Sequence, residues 1–170
     1  MKWVGAILIL LTCTWVGIDF ANQYKKRPQQ IRDLLQALQI MEAEIVYAQK
    51  PIETICRYIS KQLSFPIGSL FQRLVNELNE TEISLDDCWE NVIEEEWHFT
   101  ALKSKEKQIM LQFGQSLGRH NIEQQRKQIQ LARVHLQYEL DEALEEEKRF
   151  SSMYRVLGVL SGLLFVLILI

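Results

Sequence analysis

The chain has 170 residues, of which 48% are hydrophobic and 24% charged, and its formal net charge is −3. This balance excludes a strongly basic nucleic-acid-binding surface and provides no broad cationic face for lipid headgroups. Mean hydropathy is only −0.08, because the sequence divides into two apolar ends and a highly charged middle. At this length the middle holds about one small domain.

The first apolar segment, residues 3–21, is predicted to form a transmembrane helix. Residues 3–18 carry no charge, and the rest of the segment brings it near the roughly 20 residues that span a bilayer. A cleaved signal peptide is the alternative, because Lys2 resembles a short basic leader. Cleavage after Ala21 would put Asp19 where a small residue is needed, so an uncleaved anchor is favoured.

Basic residues flank both apolar ends on the side of the middle domain. Before the first segment lie only Lys2 and the amino group, and after the second lies only the carboxylate. Positive flanks stay in the cytoplasm, so we expect a protein of the cell membrane, in contact with lipid, whose middle domain is cytosolic and whose N- and C-termini lie outside. The flanking residues are Lys25, Lys26, Arg27, Arg32, Lys148, Arg149 and Arg155.

Residues 28–155 are predicted to form an all-α bundle of about six helices. Pro28, Pro51 and Pro66 each suit the first turn of a helix, and no stretch alternates with the period of a strand. The first three helices carry these apolar stripes: Ile31, Leu34, Leu35, Leu38, Met41, Ile45 and Ala48; Ile52, Ile55, Ile59 and Leu63; Leu70, Phe71, Leu74 and Leu78.

The fourth helix is predicted to start at a cap formed by Ser84 and Asp87. Trp89 and Trp97 lie eight residues apart, so they share one helix face and are expected in the core. Its other inward residues are Leu85, Cys88, Val92 and Ile93. The fifth helix is predicted over residues 103–117, with Ile109, Met110, Phe113 and Leu117 inward and Gly118 as its C-cap.

The last 50 residues are predicted to form one long helix that leaves the domain and enters the membrane. Asn121 and Gln124 form a capping box at its start. Its inward stripe is Ile129, Ala132, Leu136, Leu140, Ala143, Phe150, Tyr154 and Leu157. Residues 156–170, all apolar or small, are predicted as the second transmembrane helix. They are short for a bilayer, so Arg155 is expected to snorkel or the bilayer to thin locally.

No pattern indicates catalysis, a cofactor or a metal. The sequence contains no glycine-rich phosphate loop, nucleophile elbow or zinc-binding helix motif. Glu42 and Glu44 diverge on a helix, and the runs 94–96 and 145–147 are interpreted as solvated acidic faces. The three cysteines have no metal-like spacing and predict no disulfide framework; they are Cys13, Cys56 and Cys88. We therefore expect a protein that is not an enzyme.

Gly158 and Gly162 form a GxxxG motif in the second apolar segment. In a membrane helix this spacing lets a second helix approach closely. Glycine is also common in membrane helices without such a role, and the sequence leaves both interpretations open.

Five stretches, in this order and spacing, resemble the stage III sporulation protein AB family of endospore-forming bacteria. The resemblance covers essentially the whole chain, including both apolar ends. The stretches are Arg27–Arg32, Met41–Tyr47, Cys88–Glu90, Phe113–Gly118 and Gln124–Gln125.

The resemblance implies a component of the channel-like complex that joins mother cell and forespore during engulfment. It implies a soluble domain like the cytoplasmic domain of type II secretion and type IV pilus platforms, placed at the mother-cell membrane around the forespore. Implied partners are a cytosolic motor ATPase resembling stage III sporulation protein AA and the other membrane components of the channel. Those platforms carry two such domains and this chain has one, which suggests that two or more copies assemble.

The leading functional prediction is therefore a non-enzymatic membrane scaffold that couples the ATPase to membrane partners. The alternative is a secretion- or pilus-like platform, or a membrane-anchored helical adaptor, unrelated to sporulation.

Overall fold

The computed structural model describes the backbone of residues 2–80, 83–117 and 122–169, and the side chains of 24–80, 83–117, 122–150, 152, 153, 156 and 160. Its described residues form helices and connecting turns, without a strand. The all-α prediction is therefore confirmed. The helices are α1 (Lys2–Val46), α2 (Ile52–Gln62), α3 (Ile67–Glu80), α4 (Leu85–Glu96), a 3₁₀ helix (Trp97–Phe99), α5 (Ser104–Gly114) and α6 (Ile122–Leu169).

The chain divides into two compact units. The central unit is Gln29–Asp141, and the terminal unit combines Met1–Pro28 with Glu142–Ile170. Both divisions fall inside long helices, one in α1 and the other in α6. Helices α2 to α5 lie wholly within the central unit, where each packs against the next in the sequence.

The sequence predicted that Pro28 opens a helix. This prediction is wrong, because Pro28 lies inside α1 and is buried. An internal proline removes one backbone hydrogen bond and crowds the carbonyl of Tyr24, at a cost of about 3 kcal/mol. Tertiary contacts override this local preference. On one side of Pro28 the Arg27 side chain is held by an ion pair, and on the other the Gln30 side chain accepts a hydrogen bond.

The predicted apolar stripes supply most of the core. Of the first three helices, Leu35, Ile52 and Leu78 are only half-buried and Ala48 is exposed. In α6 the five stripe residues from Ile129 to Ala143 are all buried. The buried hydrophobic residues of these four helices, together with Leu63 directly after α2, are Ile31, Leu34, Ala37, Leu38, Met41, Ile45, Ile55, Cys56, Ile59, Leu63, Ile67, Leu70, Phe71, Leu74, Val75, Ile129, Ala132, Leu136, Leu140 and Ala143.

Helix boundaries in the central unit follow the predicted signals closely. Helices α2 and α3 begin directly after Pro51 and Pro66. At the start of α4 the Ser84 hydroxyl accepts a hydrogen bond from the backbone N–H of Asp87. Trp97 is buried, but it belongs to the 3₁₀ helix rather than to α4, so the two tryptophans do not share one α-helical face. The predicted caps Gly118 and Asn121 lie outside the described residues.

Both apolar end segments continue as helix, in α1 and in α6. Within the part of the chain that the structure describes, however, no helix is apolar over a stretch long enough to cross a bilayer. The two transmembrane helices, 3–21 and 156–170, are thus not supported by the structure and stay predictions.

Candidate functional site

The side chain of Trp89 fixes the contact between α4 and α5. Its indole N–H donates a hydrogen bond of 2.8 Å to the carbonyl of Met110. Phe71 and Phe113 meet its ring edge to face, with centroids at 5.9 and 5.6 Å. Gly114 lies so close that a Cβ there would fall 2.0 Å from Trp89 Cδ1. The core role predicted for Trp89 is confirmed, and Gly114 is the residue that admits the ring.

Gln30 ties α1 to the loop before α5. Its side-chain carbonyl accepts a 2.7 Å hydrogen bond from the backbone N–H of Ala101. The buried Glu106 accepts a 3.0 Å bond from the backbone N–H of Lys103, three residues before it, and so caps the start of α5. A carboxylate also suits the positive end of the helix dipole. Gln30, one of the residues that carry the family resemblance, thus holds the loop before α5 against α1.

Glu42 of α1 is the centre of a polar contact with α6. One carboxylate oxygen accepts a 2.7 Å hydrogen bond from Arg133, and the other accepts a 3.0 Å bond from Gln130. Arg126 lies 3.7 Å from the second oxygen. The carboxylate is only 15% exposed, so these charge-assisted bonds are shielded from solvent. We call this group of four side chains the Glu42 cluster.

Glu44 points to a different partner, as its position two residues further along the helix predicts. Its carboxylate lies 2.7 Å from the ammonium of Lys50. The backbone N–H of Lys50 also donates to the carbonyl of Glu44, at 3.2 Å, and Gln49 between them has a φ of 50°. This pair closes the end of α1, and it brings no second acid to the Glu42 cluster.

In the terminal unit, α1 and α6 are joined by an ion pair and an aromatic stack. The Arg27 guanidinium donates a 2.9 Å hydrogen bond to Glu146, and its side chain is 7% exposed. Tyr24 and Phe150 stack with ring centroids 5.3 Å apart. We call these four residues the clasp.

The clasp corrects one interpretation of the acidic runs. Glu146, in the run 145–147, is engaged by Arg27 instead of facing solvent freely. The run 94–96 is closer to its prediction: Glu94 and Glu95 are exposed at the surface, with ion pairs to Lys107 and Arg73. Local sequence could not separate the two runs, because the deciding cation lies 119 residues from Glu146.

A second apolar stripe on α6 was missed in the sequence. Leu131, Val134 and Tyr138 are 44%, 67% and 71% exposed. Their spacing of three and four residues puts them on one helix face, different from the buried face that contains Ile129 and Leu136. That spacing is visible in the sequence, but the longer buried stripe on the opposite side of the helix masks the signal.

The described residues offer little reactive chemistry. Cys56 and Cys88 are buried, and burial, assisted by the charge of Glu53, raises the pKa of Cys56 to about 12. The Cys56 thiol therefore stays protonated and is a poor nucleophile. Among the described side chains, no three of His, Cys, Asp and Glu are grouped to hold a metal ion.

The predicted packing site, Gly158 and Gly162, belongs to α6 but lies outside the residues whose side-chain environment is described. The GxxxG interpretation stays a prediction.

Comparisons with known proteins agree with this architecture. A family model described as stage III sporulation protein AB matches residues 2–170. Stage III sporulation protein AB of Bacillus subtilis (strain 168) is 37% identical over 169 residues, which are 99% of each chain. A solved structure of a stage III sporulation protein AB is 36% identical, has a TM-score of 0.69, and covers 73% of this chain and 98% of its own. The resemblance found in the sequence is confirmed, and the chain belongs to the stage III sporulation protein AB family.

Proposed function

We propose that this sporulation protein is a non-enzymatic membrane scaffold of the channel complex that joins mother cell and forespore. In this proposal the helical domain receives a cytosolic motor ATPase and passes its movement to membrane partners. Family membership supports the link to sporulation. Family membership also argues against the alternative function, a platform or adaptor unrelated to sporulation.

The observation that carries the coupling proposal is the pairing of α1 with α6. These are the two helices that contain the apolar end segments. In the terminal unit the clasp joins them through the Arg27–Glu146 ion pair and the Tyr24–Phe150 stack. An ion pair with one nearly buried partner resists separation, because the cation left alone would be poorly solvated. Two braced helices can transmit a displacement that one solvated helix would lose.

The proposed placement is the mother-cell membrane around the forespore. Residues 3–21 and 156–170 would span it, both termini would lie outside, and the central unit would face the cytosol beside the ATPase. The basic flanks, Lys25–Arg27 and Lys148–Arg155, support this orientation. A reporter enzyme inserted near Asn79 should be active in the cytoplasm, and activity confined to the outside would reverse the topology.

Charge reversal in the clasp tests the coupling. We expect Arg27→Glu to reduce sporulation strongly while the ATPase still co-purifies with the full-length chain, because the central unit stays folded. Restoring opposite charges with Arg27→Glu/Glu146→Arg should recover much of the loss. Lys61→Glu, the same charge change on an exposed residue of α2, is the matched control.

Two results would contradict the proposal. One is normal sporulation with Arg27→Glu in cells that contain normal amounts of the chain. The other is failure of the ATPase to co-purify with the unaltered protein from sporulating cells, which would remove the partner whose movement the scaffold is proposed to transmit.

A further inference from the structure

The exposed stripe of α6 lies in a surface that has almost no charge. Leu131, Val134 and Tyr138 form its apolar line, and Val134 and Tyr138 are among the most exposed large apolar side chains of the described residues. The other exposed positions between 129 and 139 are Gln130, His135 and Gln137. A solvated helix face normally carries charged side chains at such positions. An apolar line with neutral borders is typical of a surface covered by another protein.

Charges return at the two ends of this stripe with opposite signs. Lys127, four residues before Leu131, and Asp141, three residues after Tyr138, continue the same helix face and are both exposed. They lie about 21 Å apart along the axis, at 1.5 Å per residue. This helix face therefore consists of a cation, three apolar side chains and a carboxylate in a row. We call these five residues the α6 face.

A depression beside Val134 gives this face depth. It has a volume of about 410 Å³ and is lined by Leu35, Gln130, Arg133, Val134 and Gln137. The charge of Arg133 does not oppose an apolar occupant, because its guanidinium is bound to Glu42 at 2.7 Å. A large apolar side chain from a helix laid along α6 can enter this depression.

We propose that the α6 face docks an amphipathic helix of a partner protein, acidic at the end that meets Lys127 and basic at the end that meets Asp141. Its apolar side chains cover Leu131, Val134 and Tyr138 and enter the depression beside Leu35. This is helix-in-groove recognition, in which apolar anchors supply affinity and the end charges set register and direction. The face is one helix wide, which fits a helix better than a globular surface.

A second copy of this chain is the competing occupant. Two α6 helices side by side in parallel register set Lys127 against Lys127 and Asp141 against Asp141, which is repulsive at both ends. Only an antiparallel copy satisfies the charges. If residues 156–170 enter one bilayer, as proposed above, two copies run parallel, so the choice of a different protein rests on that proposed function while the docking face itself does not.

Photo-crosslinking in sporulating cells tests the inference on the full-length chain. We would place p-benzoylphenylalanine at Val134, and at Gln108, an exposed residue of α5, as the control position. The expected result is a crosslink from position 134 to one other protein, absent from position 108. Mass spectrometry should map it to an amphipathic helix with carboxylates on the Lys127 side and cations on the Asp141 side.

Charge variants in the crosslinking chain sharpen the test. Lys127→Glu should lower the crosslinked yield at least about fivefold, since like charges then face each other. Lys127→Glu/Asp141→Lys keeps the net charge but inverts the order, and it should lower the yield as much. Lys61→Glu should leave the yield unchanged. Helical content of each purified variant checks that folding is intact.

Three outcomes would overturn the inference: no crosslinked product specific to position 134, a product joining two copies of this chain, or a crosslinked yield that is unchanged in both charge variants. None of them decides the coupling proposal, whose readouts are sporulation and ATPase recovery in clasp variants. Conversely, loss of ATPase recovery leaves crosslinking at Val134 unaffected unless the mapped partner is the ATPase.

Discussion

Two contacts of the central unit hold helices together by different means. Around Trp89, α4 and α5 meet through fitted apolar surfaces, with a glycine at the point of closest approach. Around Glu42, α1 and α6 meet through a carboxylate shared by Arg133, Gln130 and Arg126. The first contact depends on volume, whereas the second depends on charge.

This difference has consequences for what each contact tolerates. A close-packed contact loses stability with any change of side-chain volume, in either direction. A polar contact at the surface of the core tolerates changes of shape but not the loss of one partner, which leaves the others unsatisfied. We therefore expect the Trp89 site to dominate stability and the Glu42 cluster to determine how α1 is held to α6.

The largest effect is expected from the Trp89 site. In a fragment of residues 27–155, Trp89→Ala should lower the free energy of unfolding by about 3–5 kcal/mol, because it empties a buried site and removes the bond to Met110. Gly114→Ala should cost about 1–3 kcal/mol, because the added methyl collides with the indole. Chemical denaturation measures both.

The double variant distinguishes fit from general damage at this site. With Trp89 already replaced by alanine, Gly114→Ala should cost much less than it does alone, because the methyl then enters vacated space. An unchanged denaturation midpoint for Trp89→Ala would contradict the core assignment and make a role in partner contact credible.

A smaller effect is expected from the Glu42 cluster. Glu42→Gln should lower the free energy of unfolding by about 1–2 kcal/mol, because Arg133 loses a charge-assisted hydrogen bond. Arg133→Met should have a similar cost, and the double variant should cost clearly less than the sum of the two. Additive costs would show that the two side chains do not depend on each other. Glu90→Gln, an exposed acid on α4, controls for the loss of a negative charge.

The same distinction explains how much of the fold could be predicted from sequence. Periodicity identified the buried stripes and the core role of Trp89, because burial repeats every three to four residues along one helix. The continuity of α1 through Pro28 was not predictable in this way, since distant partners on α6 and before α5 offset a local penalty. The ion partners of Glu42 lie 91 residues away at the furthest, and no local pattern points to them.

The candidate site was harder to predict than the fold for a related reason. The exposed stripe has the same spacing as a buried one, and sequence alone cannot say which of two stripes on opposite sides of a helix faces the core. Burial of Leu136 and exposure of Val134 decide it. The predicted glycine site, Gly158 and Gly162, rests on a membrane environment that the described residues do not test.

The smallest predicted effect concerns Asp33, a half-buried acid of α1 that has no part in either contact. Burial raises the pKa of its carboxyl above the usual 3.8, against a lowering effect of the hydrogen bond from Gln29. The folded chain thus binds this proton more tightly than the unfolded chain. Stability from Asp33 is therefore greatest below the unfolded pKa and is lost as the pH rises through the raised folded value. At neutral pH the ionised carboxylate is a small net cost.

Asp33→Asn should remove that cost while its side-chain oxygen can still accept from Gln29. We expect the variant to be slightly more stable than the original fragment at pH 7, with the difference shrinking as the pH falls through the raised folded pKa towards 3.8. Comparing the two proteins at each pH cancels the titration of every other acid. Denaturation midpoints at pH 3, 5 and 7 measure the trend. A variant that is less stable at pH 7 would instead mean that the charged hydrogen bond with Gln29 outweighs the cost of burial.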